Sequence, residues 1–184
     1  MIMINDIKIT KAKISDFEKF YQLLTKTLMG NYFLYSKNSS AFTLDEDLPK
    51  KDLKKYIGEG KRILYLAYSK NKVVAYLLTF KAHAGVAFAQ WLAVDKDYQK
   101  HSIASKLLSL WEKESLSNGA HILQLWTTKN DIPFYLNRKF KKGGIFPQSW
   151  FGVDHYLFYK ILRKPDEKVF LKEYLAKKLK TARK

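Results

Sequence analysis

Apolar residues alternate with polar ones at Ile7 and Ile9, then recur every three or four positions at Phe17, Phe20, Tyr21, Leu24 and Leu28. The first spacing is that of a half-buried strand and the second that of one helical face, with Ser15 and Asp16 standing before the helix as capping residues. Residues 30–49 lose this periodicity and are rich in Asn, Ser and Asp with interspersed aromatics, which predicts a loop. Leu53, Tyr56 and Ile57 suit one face of a short second helix. Past Gly58 and Gly60, residues 63–68 and 73–80 are apolar runs joined across the polar residues 69–72, the pattern of a hairpin.

Residues 86–94 form a nearly continuous apolar run, as expected of a central strand covered on both faces. After a short polar loop, Ile103, Leu107, Leu110 and Trp111 recur at helical spacing together with Ala104 and Leu108, and Gly119 sits where a helix C-terminus needs a glycine. Residues 121–126 predict another strand, Asp131 and Pro133 mark a short helix that Phe140 leaves, and residues 155–162 predict the last strand. Beyond Pro165 a basic segment carries Leu171, Tyr174, Leu175 and Leu179 on one prospective helical face. The pattern is α/β, with one domain over residues 1–162 and a basic helical appendix over residues 163–184.

Composition narrows the partners more than the fold. Lys and Arg outnumber Asp and Glu by 34 to 17 in 184 residues, a net charge of +17 that favours anionic ligands. Residues 163–184 hold nine of the basic residues and three of the acidic ones, so the body is basic as well. With no cysteine, a disulfide framework, a thiolate metal site and a thiol nucleophile are all excluded. The four histidines, His83, His101, His121 and His155, lack metal-binding spacing, and no metal is expected. The opening Met1-Ile2-Met3-Ile4 is far shorter than the roughly 20 apolar residues of a membrane span, so the expectation is a soluble, cytoplasmic protein without membrane partners.

Candidate chemistry concentrates where the strand ending at Val94 runs through a basic loop into the helix of Ile103. A helix start presents unpaired N–H groups and the positive end of its dipole, which together bind phosphate. The sequence Leu92-Ala93-Val94, followed by Gln99-Lys100-His101-Ser102-Ile103-Ala104, resembles the coenzyme-binding motif of the GNAT superfamily of N-acetyltransferases. A second stretch, from Asn130 through Phe134-Tyr135 to Phe140, resembles that superfamily's Asn, Phe-Tyr, Gly-Phe pattern.

The resemblance implies a mixed, mostly antiparallel central sheet flanked by helices, and acetyl-CoA as cosubstrate. It implies that the backbone of Leu92, Ala93 and Val94 pairs with the pantetheine arm, a mode that grips amides without demanding particular side chains. It implies that Gln99, Lys100, His101, Ser102, Ile103, Ala104 and Ser105 wrap the pyrophosphate, and that Asn130 contacts the arm. Tyr135 would protonate the departing thiolate. Lys100 and Ser102 stand where the family has glycine, as does Lys139 in the second stretch. Ser102 can cap the helix and donate its hydroxyl, and Lys100 and His101 can add charge beside the phosphates; equally, the two substitutions can obstruct the loop.

The acceptor side is less defined. Some family members carry a strand glutamate where this chain has Gln90, so deprotonation of the amine falls to water or to His83 or His155, and neither histidine is singled out. Tyr32, Phe33, Tyr35, Trp150 and Phe151 lie where the family builds acceptor pockets, although core packing accounts for aromatics equally well. Outside the resemblance, Tyr135 is one of 12 tyrosines and a helical tyrosine ordinarily just packs. The leading expectation is an N-acetyltransferase acting on a primary amine of a small molecule, peptide or protein by direct attack. The alternatives are a catalytically inactive acyl-CoA-binding relative and a basic nucleic-acid-binding module. Oligomeric state stays open, a homodimer included.

Overall fold

The computed structural model describes residues 7–30 and 32–181. The opening Met1-Ile2-Met3-Ile4 and the last three residues of the basic segment lie outside the described residues. The elements in chain order are β1 (Ile7–Lys11), α1 (Phe17–Met29), α2 (Lys37–Phe42), α3 (Lys50–Gly58), β2 (Arg62–Ser69), β3 (Lys72–Phe80), β4 (Val86–Val94), α4 (Ile103–Ser117), β5 (Ile122–Thr127), α5 (Ile132–Leu136), β6 (Lys141–Phe146), β7 (His155–Ile161), α6 (Glu167–Phe170) and α7 (Lys172–Thr181). The sheet order is β1-β2-β3-β4-β5-β7-β6, antiparallel throughout except for β4 against β5. Among the described residues no helix is long and apolar enough to cross a membrane.

Two core layers follow from the period-two alternation of the central strands. Tyr65, Ala67, Ala75 and Leu77 face Ile103, Leu107, Leu108 and Trp111 of α4, while Leu64, Leu66, Tyr76 and Leu78 face Phe17, Phe20, Leu24 and Leu28 of α1. Each large apolar side chain among these, such as Leu66, Leu77 or Phe20, contributes about 1.5–3 kcal/mol of transfer free energy, so β2 and β3, buried on both faces, fix the frame on which the rest is hung. The predicted hairpin closes with Ser69 opposite Lys72, and Lys70 adopts φ +53° in the turn. Gly119 takes φ +94° just past the end of α4, where a Cβ would lie 3.1 Å from the Val169 carbonyl oxygen.

Two expectations need correction. Residues 30–49 are not a loop throughout: Ser36 accepts a hydrogen bond from the Ser39 amide and starts α2, which runs into a wider helical turn, Thr43–Asp47. Serines near a helix start act as caps, and here they look like loop residues only because their apolar neighbours are few. The strand β6 was not anticipated at all. Its Lys-Lys-Gly-Gly-Ile-Phe sequence has no alternation, and pairing with β7 imposes its extended form.

Candidate active site

The site begins with an irregularity in β4. Against β3, Leu78 pairs with Trp91 but Thr79 pairs with Ala89, so Gln90 is an extra, bulged residue. A bulge bends its strand, and β4 accordingly pairs with β5 only from Val86 to Ala89. Beyond that point the two parallel strands separate, leaving residues 90–94 of β4 without a neighbour on the β5 side. Among the described residues, the buried Gln90 side-chain oxygen and Trp91 indole nitrogen have no hydrogen-bond partners. Free strand backbone and unsatisfied polar atoms in one cleft suit an amide-bearing arm of the pantetheine kind.

At the end of β4 the chain enters the turn Lys96–Tyr98 and then the loop before α4. Lys100 (φ +64°) and Ser102 (φ +58°) are both left-handed, the backbone form that glycine adopts without strain. Ser102 immediately precedes the 15-residue helix α4, whose unpaired first N–H groups and dipole suit an anion. The Ser102 hydroxyl makes no capping bond, because side-chain capping requires extended backbone at that residue rather than φ +58°. The capping role expected for Ser102 is therefore absent. Gln99 ties its side-chain nitrogen to the Val94 carbonyl at 3.2 Å, and His101 holds its Nδ1 2.6 Å from the Gln99 carbonyl oxygen. Ile103 is buried in the core, so only its backbone is available to a ligand.

Asp95, which sequence reasoning passed over, anchors this loop. It is 1% exposed and accepts from Lys26 of α1 at 2.8 and 2.9 Å, with the Lys72 ammonium of β3 at 3.4 Å. Burial pushes its carboxyl up, but the bonds from Lys26 and Lys72 outweigh that and hold it below the usual carboxylate range. Next to it the Lys96 amide donates to the Tyr32 hydroxyl at 3.0 Å. The loop is thus fastened to both α1 and β3.

The second stretch folds as the turn Lys129–Asp131 followed by α5. Lys139 takes φ +64° where the family pattern has glycine, and this reversal lets the Phe140 amide reach the Tyr135 carbonyl at 3.2 Å and the Phe140 ring enter the core. Arg138 stacks on Phe134, its guanidinium carbon 3.9 Å from the ring centroid, and donates to the Ser105 hydroxyl on the first turn of α4. The Ser105 hydroxyl is therefore engaged by Arg138, and a guanidinium stands beside the first turn of α4. Burial pushes the Tyr135 phenol well above its ordinary value, and Asp131 adds to the effect.

A cavity of about 580 Å³ takes in part of this arrangement: Leu92, Asn130 and Tyr135 line it, as do Thr127 and Thr128 at the end of β5, whereas Ala93, Val94 and residues 99–105 lie outside its lining. Its other wall is aromatic, with Tyr32, Phe33, Tyr35, Trp91, Trp150 and Phe151. The rings of Phe33 and Tyr35 meet Trp91 edge-on, and Tyr35 meets Phe151 at 4.9 Å. Asp47, Arg62 and His155 line the same space. The aromatics anticipated for the acceptor side thus share one wall, whereas His83 is exposed in a tight bridge to Val86 and lies outside the cavity lining. Asp47, Arg138 and the Asp95 anchor had no legible signal, since each depends on contacts between distant segments.

A pair of parallel strands that part beyond Ala89, followed in the chain by the start of a long helix, suits an extended, phosphate-bearing ligand. The sequence profile of the acetyltransferase (GNAT) family matches residues 22–140, and the chain belongs to that family, whose acyl donor is acetyl-CoA. No curated protein sequence matches significantly. Among solved structures, the PaiA N-acetyltransferase from Thermoplasma acidophilum, in complex with coenzyme A, is 20% identical with a TM-score of 0.69, over 84% of this chain and 98% of that one. The ribosomal-protein-S18-alanine N-acetyltransferase from Escherichia coli is 18% identical with a TM-score of 0.65, over 88% and 97%. The protein yncA from Salmonella typhimurium, solved with acetyl-CoA, is 13% identical with a TM-score of 0.69, over 87% and 96%.

Proposed function

We propose that this chain is an N-acetyltransferase that moves the acetyl group of acetyl-CoA to a primary amine by direct attack, acting in the cytoplasm, with residues 1–162 as the catalytic unit. The observation that carries the reading is the continuity of one cavity from the free stretch of β4, past Asn130 and Tyr135, to the aromatic wall. In this reading the backbone of Leu92, Ala93 and Val94 holds the pantetheine arm. The amides from Lys100 to Ser105, with the Lys100 and Arg138 side chains, hold the pyrophosphate. Acetyl-CoA supplies the activated acyl group and a thiolate leaving group.

The roles of the remaining groups follow from their chemistry. A phenol whose titration is raised by burial stays protonated through the neutral range, so Tyr135 is a standing donor toward the sulfur. Transfer of its proton is completed as the proton shed by the newly acylated nitrogen replaces it. The aromatic wall, with Asp47 at its rim, suits an amine on an apolar or aromatic stem. Calorimetry with acetyl-CoA and thiol release with a panel of primary amines test the proposal, and no binding at high micromolar coenzyme would sink it. Tyr135→Phe is expected to lower kcat by about 10²-fold with little change in coenzyme affinity. Full turnover in that variant would remove the acid role alone.

A further inference from the structure

We propose that Tyr35 and His155 together accept the proton of the incoming amine, a task for which this chain has no strand carboxylate; the inference rests on the acetyltransferase reading above. The two residues are 120 positions apart, one in the segment between α1 and α2 and the other at the first position of β7, and their side chains meet with the Tyr35 hydroxyl 3.0 Å from His155 Nε2. His155 Nδ1 lies 2.9 Å from the Val153 carbonyl oxygen. A carbonyl only accepts, so Nδ1 carries a proton and donates it, and in the neutral ring Nε2 is left as the acceptor for the Tyr35 hydroxyl. Both residues line the cavity that holds Leu92 and Tyr135.

The pair is built in rather than loosely placed. His155 is 4% exposed and lies edge-on to Trp150 at 5.0 Å, while Tyr35 is held among Trp91, Phe151 and Phe33. Burial, then the Asp47 charge, push the Tyr35 phenol up to about 12, so it does not act as a base unaided. With His155 behind it, the hydroxyl relays. Tyr35 Oη takes a proton from the bound ammonium as its own proton passes to Nε2, leaving a neutral amine, a neutral phenol and an imidazolium. The amine nitrogen then bonds to the acetyl carbon as the carbon–sulfur bond breaks, and the imidazolium returns its proton to solvent. The other charged groups facing this space are Asp47, Arg62 and Asp131; Asp154, beside His155 in sequence, is occupied by the Gln148 amide at 2.8 Å.

Two measurements test the pair. In the coenzyme-free protein labelled with 15N-histidine, long-range proton–nitrogen correlation should find His155 protonated at Nδ1 with Nε2 bare, and Tyr35→Phe should move the Nε2 resonance alone. An Nε2-protonated ring would overturn the proposal. With acetyl-CoA and primary alkylamines from phenethylamine to a peptide N-terminus, Tyr35→Phe and His155→Asn should each lower kcat near neutral pH by about 10²-fold while coenzyme affinity stays within about two-fold. The loss should shrink as pH rises toward the amine's own titration, and should fall below about ten-fold with O-methylhydroxylamine, which is already neutral. A deficit equal at every pH and for both amine types would mark a structural role and overturn the proposal. Variants with wild-type kinetics would do the same while leaving the acetyltransferase reading intact. A wild-type protein that turns over no amine would overturn both.

Discussion

Replacing Ser102 with glycine is expected to stabilise the protein, and replacing it with alanine to leave stability unchanged. Ser102 sits at φ +58°, a conformation that costs a residue with a Cβ about 1–2 kcal/mol. Glycine removes that strain but brings about 0.5–1 kcal/mol of extra unfolded-state freedom, so the net gain is about 0.5–1 kcal/mol, or roughly 1–4 °C in Tm for a chain of this length. Alanine retains the strain, and because the Ser102 hydroxyl makes no cap bond nothing is lost with it. Urea unfolding followed by tryptophan fluorescence reads both, provided the slope stays constant so that the midpoint reports stability. If Ser102 capped α4 instead, alanine would cost about 1 kcal/mol and glycine a few tenths; that ranking would refute the backbone argument. Lys100→Gly should bring a similar stability gain from φ +64°. Coenzyme affinity separates the two positions. Ser102→Gly should leave it alone, whereas Lys100→Gly should weaken acetyl-CoA about ten-fold, the worth of one charge-assisted hydrogen bond of about 1.5 kcal/mol.

Lys26→Ala leaves the buried Asp95 carboxylate with Lys72 alone at 3.4 Å, and is expected to cost about 1.5–3 kcal/mol in chemical denaturation; a loss under about 0.5 kcal/mol would show the anchor to be idle. Because the folded-state titration of Asp95 lies below its ordinary value, its contribution is complete above about pH 4 and is lost as pH falls through the folded value. Acid titration of stability should therefore be shallower below about pH 4 in Asp95→Asn than in the wild type. Arg138→Met keeps the stack on Phe134 but removes the cation beside Ser105. Acetyl-CoA affinity should fall by about three- to ten-fold at low salt, with a flatter salt dependence, and an unchanged Kd at every salt concentration would take Arg138 out of the phosphate site.

The parts of the fold that were legible in the sequence are those whose local pattern and tertiary role agree. The apolar runs of β2 and β3 coincide with strands buried on both faces, and the helical spacing of Ile103, Leu107 and Trp111 in α4 coincides with its buried face. The Thr43–Asp47 turn and β6 were illegible for opposite reasons. The turn is held by a helix that Ser36 starts and few apolar residues mark, while β6 has two glycines and takes its form from β7. Within the site, the β4 motif and the loop could be read because they are contiguous. The Gln90 bulge could not, since a single extra residue shows only when the partner strand's register is known. The Tyr35–His155 contact spans 120 positions, and no local pattern in either segment announces the other.

Lys100, Ser102 and Lys139 occupy three positions where the family pattern favours glycine, yet all three keep the left-handed backbone that glycine would have supplied. The conformation is therefore dictated by what surrounds these residues. Asp95 pins the loop's entry to α1 and β3, Gln99 ties its middle to the Val94 carbonyl, and Phe140, buried after Lys139, draws the second turn closed. Anchors of this strength can impose about 1–2 kcal/mol of strain per residue. What the chain gains at Lys100 is a side chain where glycine offers none, at a helix start that already attracts anions. The absence of glycine, taken from sequence as the point where coenzyme binding can fail, becomes in the folded protein a reason to expect binding that depends more steeply on salt than a glycine loop allows. Measured against Lys100→Gly over a range of ionic strengths, wild-type acetyl-CoA affinity should fall faster; parallel slopes would mean that the lysine never reaches the phosphates.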